Sequence, residues 1–168
     1  MNQVPVFKFA IKNNLTDYTT SLTFLPTKAH QEDTGWDVRA AESFTLRAGQ
    51  YAKIPLGFRM FAPPGYWLEL RPRSSSFVKK QLHALYGVID ETWEGQCLFA
   101  CQYIPDISAM GQDLEIKFGD AIGQIIPIKR QEMMVENISN EEYDRLCNER
   151  KGSRGVGGFG STSDQKGK

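Results

Sequence analysis

Short runs of apolar, β-branched and aromatic residues follow one another along the chain, many of them alternating with polar positions, and glycine or proline closes nearly every run. The runs cover 4–11, 43–46, 51–61, 66–70, 96–104 and 114–118. A period of two with this residue choice predicts half-buried β-strands. The punctuation by Pro26, Gly35, Gly49, Pro55, Gly57, Pro63, Pro64, Gly65, Gly87, Gly95, Pro105, Gly111 and Gly119 leaves no room for a long helix. Many short strands at this spacing predict an all-β fold, a jelly-roll-like sandwich or barrel. One short helix is expected over 140–151, where Ser139 can cap the first turn and Glu142 sits at the capping-box position.

The pattern changes at residue 152. Five glycines lie between Gly152 and Gly160, interleaved with Arg154 and Phe159, and a polar tail follows. Backbone freedom of that kind predicts a flexible arm, 152–168, attached to a β domain of 1–151. An arginine and a phenylalanine embedded in glycine are placed to grip a ligand.

A chain of 168 residues fits one domain. Its 20 basic and 20 acidic residues balance, so no global field draws it to nucleic acid or an anionic membrane, and any anion it binds must be held locally. No apolar stretch approaches the ~20 residues of a membrane span, and residues 1–10 lack the pattern of a signal peptide. A cytoplasmic protein is expected. Cys97, Cys101 and Cys147 make an odd count, against a disulfide framework. In a strand, Cys97 and Cys101 share a face with Phe99 between them, which reads as core.

Three segments carry candidate chemistry. Arg71-Pro72-Arg73-Ser74-Ser75-Ser76 offers guanidinium forks and hydroxyls suited to phosphate oxygens, although a solvated basic turn has the same composition. Gly87-Val88-Ile89-Asp90-Glu91-Thr92-Trp93-Glu94-Gly95 reads as a glycine-bounded β-hairpin with a carboxylate on its shoulder. Asp90 fits a turn initiator. Facing a phosphate site, it also fits a base that takes a proton from water, with Glu91 and Glu94 as rival carboxylates. The glycine-rich arm can form a nest of N–H groups beside Arg154, but lacks the lysine of a P-loop.

In order, these segments resemble the five motifs of the trimeric dUTP pyrophosphatase family. The first is similar to Asp33-Thr34-Gly35-Trp36-Asp37-Val38-Arg39-Ala40, the second to Pro72-Arg73-Ser74-Ser75, and the third to Gly87 through Gly95. The fourth is similar to Gly119-Asp120-Ala121-Ile122-Gly123-Gln124-Ile125-Ile126, and the fifth to Arg154-Gly155-Val156-Gly157-Gly158-Phe159-Gly160-Ser161-Thr162. The resemblance implies that Asp90 activates the attacking water and that backbone around Ala84, Gly87, Val88 and Ile89 reads the uracil edge. It makes Trp93 the wall under the deoxyribose. It assigns phosphate contacts to Arg73, Ser74, Ser75 and Gln124, and makes Asp37 a polar support. Arg154 would grip the terminal phosphate, Phe159 would stack on uracil, and Gly160, Ser161 and Thr162 would add donors. It further implies Mg²⁺ held through substrate phosphates and water, and a homotrimer with sites shared between subunits.

The chain departs from the family pattern at several positions. Trp93 stands for the usual Tyr, Ser76 and Phe77 for Leu-Ala, Ala121 for a common Arg, and Ala84 for a common Asn. Segments 104–117 and 137–151 look longer than in a minimal member. Two rival readings are a dCTP deaminase-like enzyme and a regulatory binding protein on the same fold. The deaminase branch carries a Glu ten residues after the hairpin Asp, where this chain has Ala100.

Overall fold

The computed structural model describes residues 4–15 and 24–150. Alternation decides which strands form and which face they bury. In β4 (Tyr51–Pro55) and β9 (Leu98–Tyr103) the inward positions are Ala52 and Ile54 against Cys101 and Phe99, paired directly across the antiparallel ladder. Ile54 and Phe99 are fully buried. Cys97 and Cys101 lie in the same core as free thiols. Burial pushes them up to about 12 and about 11 respectively, because the thiolate loses its hydration there.

The run over 51–61 is two strands, not one. Gly57 adopts φ +78° between β4 and β5 (Phe58–Phe61), and a Cβ there would stand 2.5 Å from Leu15 Cδ1. Both the conformation and the space require glycine. β5 pairs with β1 (Lys8–Ile11), and β3 (Phe44–Leu46) pairs with β10 (Leu114–Ile116). β7 (Leu82–Ala84) joins β9 and β4 in a three-stranded sheet.

The sheet that matters for function has the order β2-β11-β6-β8. It comprises β2 (Trp36–Arg39), β11 (Ala121–Lys129), β6 (Tyr66–Pro72) and β8 (Gly87–Ile89). β11 pairs with β2 only from Ala121 to Ile125, whereas its pairing with β6 continues to Lys129. Pro127, which has no N–H to donate, therefore sits where β11 has a single neighbour. The resulting architecture is the expected all-β, jelly-roll-like one.

Three local expectations differ from the structure. Residues 87–95 do not pair with themselves as a hairpin: β8 hydrogen-bonds to β6, while the chain after the 90–96 turn enters β9 in another sheet. Burial of Ile89 and Phe99 in one core from two sheets outweighs local closure. The basic turn after β6 is a five-residue helix, α1 (Ser74–Val78), anchored by fully buried Ser76, whose Oγ donates to Ile122 O at 2.6 Å.

The third difference concerns the late helix, within the second of the two compact units, Met1–Arg130 and Gln131–Lys168, into which the chain divides. Here α2 (Asn140–Glu149) begins as expected, with Ser139 Oγ accepting from Glu142 N at 3.1 Å. The Glu142 carboxylate turns forward to Arg145 instead of back to the cap, and the helix ends two residues before the predicted boundary, with Arg150 extended.

Candidate active site

Strand register assembles the first group of candidate residues. Gln124 lies opposite Asp37 across β11–β2 and opposite Arg71 across β11–β6, with Gly123 opposite Pro72. Three segments far apart in sequence thus meet at one end of the sheet. Arg73 leaves β6 in an extended conformation and caps α1, and its N–H donates to Ile122 O at 3.3 Å. The guanidinium reaches Asp37, Nε to Oδ1, at 3.1 Å. Gln124 Nε2 donates to Pro72 O at 3.2 Å.

Gly35 provides the room for this arrangement: a Cβ there would stand 1.9 Å from Gln124 Oε1. The Asp37–Arg73 pair is partly exposed, so it contributes about 1 kcal/mol or less to stability. Its consequence is orientation, because the guanidinium fork is held with further N–H donors available. Ser74 and Ser75 follow as the first residues of α1. Arg71 is engaged elsewhere, 2.8 Å from Glu69 and over the Tyr86 ring at 5.7 Å. The Glu69 hydrogen bond and charge raise it above its ordinary value.

The second group surrounds a cleft of about 220 Å³ lined by Leu70, Gly87, Val88, Ile89, Asp90 and Trp93, among others. β8 buries Ile89 and leaves Val88 and Asp90 outward, so the carboxylate emerges at the strand end. A Cβ on Gly87 would meet only ordinary contact, 3.5 Å from Leu70 Cβ. Packing does not demand that glycine, and its missing side chain keeps the cleft open. Ala84 closes β7 opposite Cys101, and the next residue, Leu85, donates its N–H to Ala100 O at 3.0 Å.

The turn after β8 is closed by Trp93 N donating to Asp90 O at 3.1 Å. The half-exposed Trp93 ring lies over Gly95, where a Cβ would be 2.4 Å from its Cζ2. Among the described residues, the Asp90 carboxylate makes no hydrogen bond or ion pair. Glu91 differs: its Oε2 accepts from Gly65 N at 2.8 Å and from Arg130 Nη1 at 2.9 Å. Glu94 borders a larger groove of about 650 Å³, shared with Lys8, Arg59 and Phe61.

The two groups do not meet within one chain. Leu68 pairs with Ile89, so Asp90 leaves β8 at the level of Trp67, six positions along β6 from Arg73. At the rise of a β-strand this is roughly 20 Å. Arg154, Phe159, Gly160, Ser161 and Thr162 lie outside the described residues. Among the described residues no group of three His, Cys, Asp or Glu side chains could hold a metal ion. No helix among them is long and apolar enough to cross a membrane.

Sequence reasoning missed the roles of Gly35, Gly95, Gly65 and Arg130. The first two lie inside quoted motifs, so a glycine beside a bulky functional side chain was an available signal. Nothing local marks Arg130, which is 39 positions from Glu91.

Comparison with known proteins bears on this arrangement. The dUTPase family model matches residues 23–163. The deoxyuridine 5'-triphosphate nucleotidohydrolase of Bartonella bacilliformis is 33% identical over 153 residues, covering 84% of this chain and 83% of that protein. A Staphylococcus bacteriophage 80alpha dUTPase variant, solved with dUpNHpp, superposes with a TM-score of 0.74 at 19% identity, covering 94% of this chain and 98% of the other. A dUTPase variant of phage phi11 of S. aureus, described as coordinating a structural Mg(II) ion, gives 0.66 at 18% identity over 80% and 97% of the two chains.

Proposed function

The chain belongs to the dUTPase family, and we propose on that premise that it hydrolyses dUTP to dUMP and pyrophosphate, with Asp90 as the base that activates water. The observation that carries the assignment of roles is the contrast between adjacent carboxylates. Asp90 stands exposed at the mouth of the 220 Å³ cleft beside Trp93, whereas Glu91 is bound to Gly65 and Arg130.

The reaction follows from the charges. A triphosphate carries about four negative charges at neutral pH, which oppose an anionic nucleophile until cations neutralise them. Water held on the Asp90 carboxylate gives up its proton as its oxygen attacks the α-phosphorus, and pyrophosphate leaves in line, with no covalent intermediate. Val88 and Ile89 supply backbone groups for the uracil edge. Trp93 supplies a wall that excludes a 2′-hydroxyl. Arg73, oriented by Asp37, clamps phosphate oxygens together with Ser74, Ser75 and Gln124.

Mg²⁺ fits this donor set. Mg²⁺ keeps several of its waters and binds substrate phosphates readily, so it would be held through the triphosphate and water, leaving the Asp90 carboxylate to act as the base. When bound, it would neutralise developing charge on the triphosphate.

Because Arg73 and Asp90 are about 20 Å apart along β6, further than a triphosphate group spans, one chain cannot present both to the same nucleotide. The active assembly is a homotrimer in which the Asp90 cleft of one subunit faces the Arg73 group of the next, a head-to-tail ring. Arg154 and Phe159 with Gly160, Ser161 and Thr162 would close over the bound nucleotide from the arm, and the enzyme would act in the cytoplasm. Incubation with each nucleotide and Mg²⁺, followed by assay of pyrophosphate and ammonia, tests the reading. Pyrophosphate from dUTP without ammonia is expected; ammonia from dCTP would replace it with the deaminase, and neither product would leave a binding protein.

A further inference from the structure

Glu91, next to Asp90 in the chain, has no task in the proposed reaction, and its partners define one. Its Oε2 takes two hydrogen bonds, from Gly65 N at 2.8 Å and from Arg130 Nη1 at 2.9 Å. Arg130 N in turn donates to Gly65 O at 2.8 Å, so the three residues close a ring of hydrogen bonds. Gly65, with φ +78°, is the third residue of the turn that Tyr66 N closes on Pro63 O just before β6. Arg130 follows the last residue of β11. Glu91 therefore ties the turn after β8 to the ends of the two strands at the centre of the sheet. Besides the Glu91 bonds, the hydrogen bond described within this turn is Trp93 N to Asp90 O, with the Trp93 ring lying over Gly95.

We propose that Glu91 is a positioning residue for hydrolysis: it fixes the turn that aims the adjacent Asp90 carboxylate at the attacking water. This inference rests on Asp90 being the base. Among the described residues the Asp90 carboxylate has no hydrogen-bond partner, so its direction is inherited from the backbone on either side. β8 fixes the residue before it, and the Glu91 clamp fixes the residue after it. Displacement of a catalytic group by ~1 Å can cost up to ~10²-fold in rate.

The test uses the full-length protein with dUTP and Mg²⁺, pyrophosphate release being measured alongside thermal unfolding and oligomer size. Glu91→Ala is expected to lower kcat about tenfold with KM changed less than about twofold, at a temperature where the variant is fully folded. Glu91→Gln keeps an acceptor oxygen for Gly65 N and Arg130 but cannot take a proton, and is expected to recover kcat to within about threefold of wild type. Unchanged kcat in folded Glu91→Ala, with only a lower melting temperature, would show a purely structural clamp and overturn the proposal. Equal loss in Glu91→Ala and Glu91→Gln, with Asp90→Asn active, would make Glu91 itself the base and overturn the Asp90 reading instead.

Discussion

The two halves of the candidate site are built on different terms. At one end of the β2-β11-β6-β8 sheet, Arg73, Asp37 and Gln124 come from three segments and are already hydrogen-bonded to protein: Arg73 to Asp37, and Gln124 to Pro72. At the other, Asp90 and Trp93 come from one turn, stand exposed around a cleft, and depend on neighbours such as Glu91 and Gly95 for their aim. A phosphate clamp acts in the ground and transition states alike, so preassembly serves it. The proposed base must approach a water that arrives with the substrate, which is consistent with an open carboxylate on a braced turn. On the proposed reading, the bracing separates the two carboxylates by role although they are adjacent in sequence.

Substitutions can break this contrast. The largest effect is expected from Asp90→Asn, which should leave the fold and dUTP binding intact and lower turnover by at least ~10²; wild-type turnover would move the base elsewhere. Arg73→Ala should be next, costing about 1.5–3 kcal/mol in kcat/KM as a charge-assisted contact to phosphate is lost. Because the Asp37 pair is partly exposed, the melting temperature should barely move, and a large drop would mean that the pair is structural.

Much of the fold was legible beforehand, and the failures share a cause. Alternation located β4, β6 and β9, and the Cys97-Phe99-Cys101 spacing located core. β11 was not among the predicted runs, because Gly123 and Pro127 interrupt its pattern. Gly123 is held where a Cβ would be 3.0 Å from Phe99, and Pro127 is tolerated on a free edge. Residues 87–95 read as a hairpin, although β8 and β9 belong to different sheets. The residue types of the site were visible in the motifs, but the Arg73–Asp37 pair and the Glu91 clamp join positions 26 to 39 apart and follow only from register.

Smaller effects sharpen the same comparison. Trp93→Ala should relax discrimination against UTP about tenfold while dUTP turnover falls less; an unchanged dUTP to UTP ratio would remove the ring from specificity. Gly35→Ala should disturb the preassembled half by pushing Gln124 off Pro72, raising KM for dUTP at a stability cost of about 1 kcal/mol. Gly87→Ala meets only ordinary contact, so its effect should be on nucleotide binding and not on melting temperature.

Cys97 and Cys101, with thiols pushed up by burial, should resist alkylation at pH 8 until the protein unfolds. Since the folded values exceed that of a free thiol, the associated stability is complete below about pH 9. It should decline as pH rises toward 11–12, which denaturant midpoints against pH will measure.

Complementation between variants shows whether the two halves form one site only across a subunit boundary. Asp90→Asn and Arg73→Ala subunits, each nearly inactive alone, are co-folded in equal amounts and assayed with dUTP and Mg²⁺. In a head-to-tail trimer every mixed assembly contains one site with both residues intact, so the mixture should regain about a quarter of the wild-type rate. A rate no higher than the average of the two variants measured alone would place Asp90 and Arg73 in the same subunit's site and rule out sharing across the boundary.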